Sequence, residues 1–141
     1  MERVESKKNR FLKLTPENGD YNQYWFSEKT IEFFVNQVNK YGKEKIGFIA
    51  TPSIFFSLSK EMQNKSYLFD IDEKLTKKHK NGKRYDFNES DYEVKFLDLK
   101  NLLDLDMKVF QPSIPHLVYQ YNIFANYDDE ELNKKNPEIP E

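Results

Sequence analysis

The chain has 141 residues, with 22 basic and 24 acidic side chains and a formal net charge of −2. Its length fits one domain, and its nearly balanced charge gives no electrostatic reason to bind nucleic acid or an anionic membrane. The lack of cysteine excludes disulfides and thiolate zinc sites, and with only two separated histidines we expect no metal site. Because no stretch approaches the roughly 20 apolar residues of a membrane span, we expect a cytoplasmic protein.

The first predicted elements are an arm, an aromatic cluster and a helix. Residues 1–20 are polar and end in a turn-rich stretch, which predicts a flexible arm. The aromatic cluster Tyr24–Phe26 follows, and Ser27 then precedes a helical pattern. The helix is predicted from the apolar and aromatic residues at positions 31, 34, 35, 38 and 41, with Gly42 as its C-terminal stop.

Short apolar segments after this helix predict strands that are buried on both faces. The first covers Ile46–Ala50, and the segment Thr51–Ser53 then leads into a short helix. The second, Tyr67–Phe69, runs directly into an acidic segment. A third and weaker strand is predicted at Arg84–Phe87.

The rest of the chain predicts one more helix and one more strand. Apolar residues between positions 94 and 105 favour a buried helix, and residues 107–110 favour a fourth strand. Alternating helices and strands are typical of a parallel sheet with crossover helices, so we assign the α/β class. Residues 126–141 are acidic and contain two prolines, which predicts a disordered tail behind a structured domain at 21–125.

Three features fall where an open parallel sheet binds its ligands, beyond the carboxyl ends of the strands. The segment Thr51–Ser53 follows the first strand and could present backbone N–H groups to an acceptor, or simply cap a helix. Asp72 follows the second strand, with Asp70 before it, and could accept both hydroxyls of a ribose or lie at a solvated strand end. Asp86, after the third strand, could contact an adenine edge or cap the next helix.

The aromatic residues Trp25 and Phe26 are candidates for a substrate pocket. Their position immediately before a helix is also typical of core residues or of a hydrophobic staple. The chain contains no glycine-rich phosphate loop, nucleophile elbow or zinc-binding spacing.

Four segments, taken in order, resemble one known family. They are Gln23–Thr30, Ala50–Ser53, Asp70–Asp72 and Tyr85–Asn88. The first resembles the Q-F-W-Y-S-x-x-T opening of the N6-adenine-methyltransferase-like family, and the second resembles the Pro-Ser loop that replaces its glycine-rich cofactor loop. The others resemble its spaced acidic pair and its Tyr-Asp-aromatic-Asn segment. This family includes the eukaryotic elongation factor 1-alpha lysine methyltransferases.

The resemblance implies a Rossmann-like class I methyltransferase sheet with S-adenosylmethionine as the methyl donor. Asp72 would hold the ribose and Asp86 would lie near the adenine. The loop near the amino-acid part of the cofactor would comprise Thr51, Pro52 and Ser53. The implied reaction is methylation of a protein lysine, with elongation factor 1-alpha as the substrate. Related families methylate RNA adenine instead, and the amine-pocket chemistry is similar for both.

The catalytic motif departs from the family pattern. The family carries Asp-Pro-Pro-Phe after its fourth strand, whereas this chain reads Gln111-Pro112-Ser113-Ile114. Gln111 could offer a carbonyl oxygen to the target amine, but on a longer stem, and a shift of about 1 Å in such a site can cost roughly 100-fold in rate. We expect Gln111 and Pro112 to mark a degenerate catalytic motif in a sheet that is truncated after its fourth strand.

Three hypotheses follow from this departure. The chain could be an active protein-lysine methyltransferase, a non-catalytic pseudo-methyltransferase that acts as a binding or scaffold subunit, or an incomplete chain from an active parent. A truncated sheet leaves an unpaired edge and exposed apolar surface. We therefore expect the chain alone to be poorly soluble or to need a partner subunit.

Overall fold

A computed structural model describes residues 9–21, 23–86, 101–117 and 120–140. The chain divides into two compact units, Met1–Tyr85 and Asp86–Glu141. The first unit contains, in chain order, α1 (Arg10–Leu14), a 3₁₀-helix (Gly19–Tyr21), α2 (Glu28–Tyr41), β1 (Ile46–Ile49), α3 (Pro52–Phe55), α4 (Lys60–Asn64), β2 (Ser66–Asp70), α5 (Glu73–Thr76) and β3 (Gly82–Arg84). The second contains β4 (Asp106–Met107), β5 (Phe124–Ala125) and a 3₁₀-helix (Glu130–Asn133).

The sheet of the first unit is parallel, with the strand order β1-β2-β3. Phe48 of β1 lies opposite Leu68 of β2, and Leu68 in turn lies opposite Gly82 of β3. Strands joined in parallel need crossover connections, which the helices between them supply. The mixed α/β class that the sequence predicted is confirmed.

A cluster of buried apolar side chains fills the space between this sheet and the helices. Phe55 and Leu68 are fully buried at its centre. The cluster is completed by Phe48, Ile54 and Leu58, with one face of α2 packed against it. Ser27 accepts a hydrogen bond from the Thr30 amide and so caps the start of α2, as the sequence predicted.

The third strand begins earlier than its sequence predicts. The sequence predicts it at Arg84–Phe87, but β3 covers Gly82–Arg84. An edge strand with mostly exposed residues has no apolar pattern to reveal it. Glycine is required at position 82, because a Cβ atom there would collide with the Thr76 carbonyl.

Residues 9–21 pack against other parts of the first unit, although the sequence predicted a flexible arm over residues 1–20. Phe11 of α1 is buried and stacks on Phe56 with ring centroids 5.8 Å apart. Its ring also meets Trp25 edge-on at 5.0 Å. The Asn9 side chain donates a hydrogen bond to the Ser57 hydroxyl at 2.9 Å, which fastens the start of α1.

The prediction that a fourth strand joins the parallel sheet is wrong. β4 does not extend the parallel sheet but pairs antiparallel with β5, Asp106 opposite Ala125. The Phe110 amide donates to the Leu132 carbonyl at 3.0 Å, and Leu132 is almost completely buried. Residues 126–141 were predicted to be a disordered tail, but they include the buried side chains of Asp129, Leu132 and Asn136. Most of the helix predicted between positions 94 and 105 lies outside the described residues.

Candidate functional site

The acidic pair lies at the carboxyl end of β2. Asp70 is the last residue of that strand, and its Oδ1 accepts a hydrogen bond from the Asp72 amide at 2.9 Å. Asp72 caps α5, because its Oδ1 accepts from the Lys74 amide at 3.0 Å. Both side chains are nearly buried, with exposed fractions of 5% and 6%. The strand end is thus a fixed pair of carboxyl groups rather than a solvated terminus.

The electrostatics of the pair differ from those of a surface aspartate. Burial raises the pKa of the Asp70 carboxyl above its ordinary value. The hydrogen bond from the Asp72 amide lowers that pKa, and the neighbouring charge of Asp72 raises it further. Because burial is the largest of these effects, the charged form of Asp70 is disfavoured in the folded chain.

Gln23 connects the opening aromatic motif to this strand end. Its Nε2 donates to Asp72 Oδ2 at 2.8 Å, and its Oε1 accepts from the Asn18 amide at 3.1 Å. Two segments that are 49 residues apart in sequence therefore meet at one carboxylate. Sequence reasoning singled out both segments but missed this contact, since nothing in the spacing of Gln23 indicates where its side chain points.

A surface cavity of about 450 Å³ opens beside Asp72. This volume lies within the range of roughly 300–1,000 Å³ that is typical of small-molecule sites. Glu73 on the wall forms ion pairs with Lys77 and Arg84, each at 3.6 Å. The lining residues are Tyr21, Ile71, Asp72, Glu73, Lys74, Lys77 and Arg84.

The loop after β1 has a constrained backbone. Ala50 adopts a φ of 56°, in the left-handed region that costs a residue with a Cβ about 1–2 kcal/mol. Thr51 then precedes α3 without a side-chain capping hydrogen bond, and Pro52 occupies the first turn. Ser53 is buried and its carbonyl accepts from the Ser57 hydroxyl at 2.6 Å. None of these residues lines the cavity beside Asp72.

Asp86 does not line that cavity either. It is half-buried and follows β3 by two residues. Asn88, which the sequence grouped with it, lies outside the described residues. Of the three predicted strand-end features, the structure brings only Asp72 into this cavity, and the cofactor roles of the others stay predictions.

Trp25 and Phe26 lie in the hydrophobic core instead of on the cavity wall. Trp25 is buried beside Phe11 and Leu75, and its Nε1 donates to the Thr15 carbonyl at 2.9 Å. Phe26 packs against the main cluster through Phe34, with ring centroids 5.3 Å apart. Their contacts fasten the segment that carries Gln23, and a role in a substrate pocket stays a prediction.

Gln111 and Pro112 belong to the second unit. Pro112 is buried, and the Gln111 side chain donates to Asn122 Oδ1 at 3.1 Å. The backbone carbonyl of Gln111 accepts from Asn136 Nδ2 at 2.8 Å. The side chain and the backbone of Gln111 are therefore both held by residues of the C-terminal segment.

Comparison with protein families matches residues 17–102 to the model described as probable N6-adenine methyltransferase. The match covers more than half of the chain. The chain belongs to the N6-adenine methyltransferase family. The matched range contains every segment on which the resemblance rests and ends before Gln111. No curated protein and no solved structure matches the chain.

Family membership makes the chain a methyltransferase by descent and confirms the resemblance found in the sequence. The matched residues 17–102 include β1, β2, β3 and the acidic pair Asp70 and Asp72. In the part of the chain that the structure describes, no helix is long and apolar enough to cross a membrane.

Proposed function

We propose that the chain is an S-adenosylmethionine-dependent methyltransferase in which Asp72 holds the ribose of the cofactor. The observation that carries the proposal is the position of Asp72, which follows β2 at its carboxyl end and lines a ligand-sized cavity. An acidic residue in this place binds ribose hydroxyls in dinucleotide folds. The strand order β3-β2-β1 is also the order of the first three strands of a Rossmann sheet, which supports a class I fold.

The residues present fit such a group. A carboxylate has about four acceptor positions on its two oxygens. The Lys74 amide and the Gln23 side chain each use one of those of Asp72, so acceptor capacity remains for hydroxyl donors. When bound, S-adenosylmethionine supplies an activated methyl group on its sulfonium sulfur. The contribution of the chain at this strand end is to hold and orient the nucleoside part.

The loop Thr51–Ser53 and Asp86 complete the proposed cofactor contacts by family resemblance. The left-handed backbone at Ala50 supports a role for the loop, because strained residues cluster at ligand sites. An alanine in that conformation turns the chain sharply after β1, the place where related folds use glycine.

The proposed reaction is methylation of a protein lysine, with elongation factor 1-alpha as the substrate and the cytoplasm as the location. Gln111 would offer its side-chain carbonyl to the target amine, and Pro112 would stiffen the backbone beside it. This part of the proposal rests on the family resemblance of the segments before residue 102 and on the position of Gln111 and Pro112, where the family carries Asp-Pro-Pro-Phe.

A second candidate function is a non-catalytic subunit that binds a partner and keeps the family fold. The contacts of Gln111 favour it. Its amide nitrogen is engaged by Asn122 and its backbone carbonyl by Asn136, which fixes the side chain in a hydrogen-bonded arrangement. The side-chain carbonyl oxygen of Gln111 could then meet a target amine only in the orientation that the contact with Asn122 allows.

The test of the cofactor proposal is calorimetric titration with S-adenosylmethionine. The wild-type chain is expected to bind at micromolar concentration, about 8 kcal/mol. Asp72→Asn keeps an Oδ1 that can cap α5 but loses the charge, and it is expected to weaken binding at least tenfold. Asp129→Asn is the matched control, because Asp129 is equally buried and caps the 3₁₀-helix of the second unit.

Two results separate the candidates. Equal binding by Asp72→Asn and the wild-type chain would remove Asp72 from the cofactor site. Transfer of a radiolabelled methyl group to elongation factor 1-alpha by the wild-type chain, abolished in Gln111→Ala, would establish catalysis. Cofactor binding without any transfer would favour the non-catalytic subunit.

A further inference from the structure

We propose that Tyr21 is a ligand-contact residue that stacks on the heterocycle of a nucleoside in the cavity beside Asp72. The inference deepens the proposed function and rests on it for the identity of the nucleoside. Tyr21 is the last residue of the 3₁₀-helix Gly19–Tyr21 and lies on the cavity wall. It lies between the predicted flexible arm of residues 1–20 and the Gln23–Thr30 motif, and the sequence predicted no ligand contact for it.

The Tyr21 ring is available on the cavity side. The exposed fraction of Tyr21 is 43%. Within residues 9–21, 23–86, 101–117 and 120–140, its side chain makes no hydrogen bond or ring contact. An exposed aromatic ring on the wall of a cavity offers a flat apolar surface to a planar ligand.

The turn that carries Tyr21 is held rigidly. The Tyr21 amide donates to the Asn18 carbonyl at 3.2 Å, and the Gln23 amide donates to the same carbonyl at 3.1 Å. The Asn18 side chain accepts from the Asp20 amide at 3.0 Å. These hydrogen bonds restrain the backbone that carries the ring, which limits the conformational entropy lost when a ligand stacks on it.

Gln23 fixes the ring and the carboxylate relative to each other. One end of its amide accepts from the Asn18 amide, and the other donates to Asp72 Oδ2. The same side chain thus ties the Tyr21 turn to the proposed ribose acceptor. Gln23 is a positioning residue in this arrangement, since it acts through its neighbours.

The lining chemistry favours a nucleoside over a simple anion. Two of the three cations on the wall, Lys77 and Arg84, are already paired with Glu73. A bare phosphate would have to compete with that carboxylate. Tyr21 and Ile71 instead offer apolar surface for a base, while Asp72 offers acceptors for ribose hydroxyls.

Titration with adenosine, monitored by the chemical shifts of the ligand, tests the proposal directly. Tyr21→Ala is expected to weaken adenosine binding about tenfold or more, the scale on which aromatic side chains stack with bases. Tyr21→Phe should bind as the wild-type chain does, because stacking needs the ring and not the hydroxyl. Tyr24→Ala is the matched control, since Tyr24 is 40% exposed but does not line the cavity.

The positioning role of Gln23 has its own readout. Gln23→Ala should weaken adenosine binding in the wild-type background but have much less effect in the Tyr21→Ala background, because the two changes remove the same contact. A merely structural role would give additive effects. Circular dichroism of each variant checks that the fold is retained.

The outcomes distinguish this inference from the proposed function. Binding of adenosine that depends on Tyr21, without binding of S-adenosylmethionine, would support the stacking site and overturn the cofactor proposal. Binding of both ligands that is unchanged in Tyr21→Ala would overturn the stacking site and leave the cofactor proposal intact. A folded wild-type chain that binds neither ligand would overturn both.

Discussion

The motif residues of the two units differ in their hydrogen-bond partners. In the first, Gln23 and Asp72 belong to motifs that lie far apart in sequence, and a hydrogen bond joins them beside a cavity. In the second, Gln111 is joined to Asn122 and Asn136, and the family match does not reach it. The family match therefore includes the residues proposed to bind the cofactor but not those proposed to act in catalysis. A fold can retain its ligand-binding strand ends independently of the residues that act on a substrate.

The largest expected effect concerns the cores on which these two arrangements rest. Phe55→Ala should lower the free energy of unfolding of the first unit by about 3–5 kcal/mol, because it leaves a cavity at a fully buried position. Leu132→Ala should act on the second unit, where it should accelerate hydrogen exchange of the Phe110 amide. Chemical denaturation measures the free energy of unfolding of Phe55→Ala, and amide exchange measures the effect of Leu132→Ala. An unchanged Phe110 exchange rate would mean that residues 130–133 do not stabilise this unit.

The next effect tests the hydrogen bonds that Gln23 makes with Asp72 and Asn18 in the first unit. Gln23→Ala should cost about 1–3 kcal/mol, since it leaves the buried Asp72 carboxylate and the Asn18 amide each with a lost partner. Gln111→Ala should cost less than 1 kcal/mol, because its hydrogen bond to Asn122 is exposed. Urea denaturation of both variants measures the difference. Equal costs would contradict the distinction between a buried and an exposed contact.

A smaller effect concerns backbone conformation in the two units. Ala50 and Asp104 both have a left-handed φ, of 56° and 54°. Ala50→Gly should stabilise the chain by about 1 kcal/mol, because glycine adopts this region without steric cost. Asp104→Gly should gain less, since aspartate tolerates the left-handed region better than alanine. If Ala50→Gly lowers the melting temperature, the strain assigned to the loop after β1 is absent.

The smallest effect is a pH dependence carried by Asp70. Its raised pKa means that the folded chain binds more protons than the unfolded chain just above the ordinary value of 3.8. Its contribution to stability therefore falls as pH rises from below 3.8 through the folded-state pKa, and is constant above it. Asp70→Asn keeps the acceptor for the Asp72 amide without this penalty. The free energy of the variant relative to wild type should rise across that window, and a flat difference would refute the assignment.

The sequence predicted the elements whose apolar residues repeat, and it missed those fixed by polar contacts. The helix over residues 28–41 and the first two strands were predicted because their apolar side chains mark a buried face. β3 was displaced because its exposed Lys83 and Arg84 have no such pattern. α1 was missed because a five-residue helix depends on Phe11 finding partners from elsewhere in the chain. Local propensity contains no information about those partners.

The candidate site shows the same division. Asp72 could be predicted, because a carboxylate directly after a buried strand has a known place in a parallel sheet. Gln23 and Tyr21 could not be given roles, since these depend on where the segment before α2 folds back. The antiparallel pairing of β4 also lay beyond prediction, because a short strand pattern does not specify its neighbour.

The burial of Trp25 gives the chain a built-in optical probe. Trp25 is the only tryptophan in the sequence and lies two residues after Gln23. Its indole N–H donates a hydrogen bond to the Thr15 carbonyl. A ligand that shifts the backbone of the 3₁₀-helix Gly19–Tyr21 is expected to change the polar surroundings of this indole. Emission excited at the red edge of the absorption band would then follow occupancy of the cavity in real time, without any label.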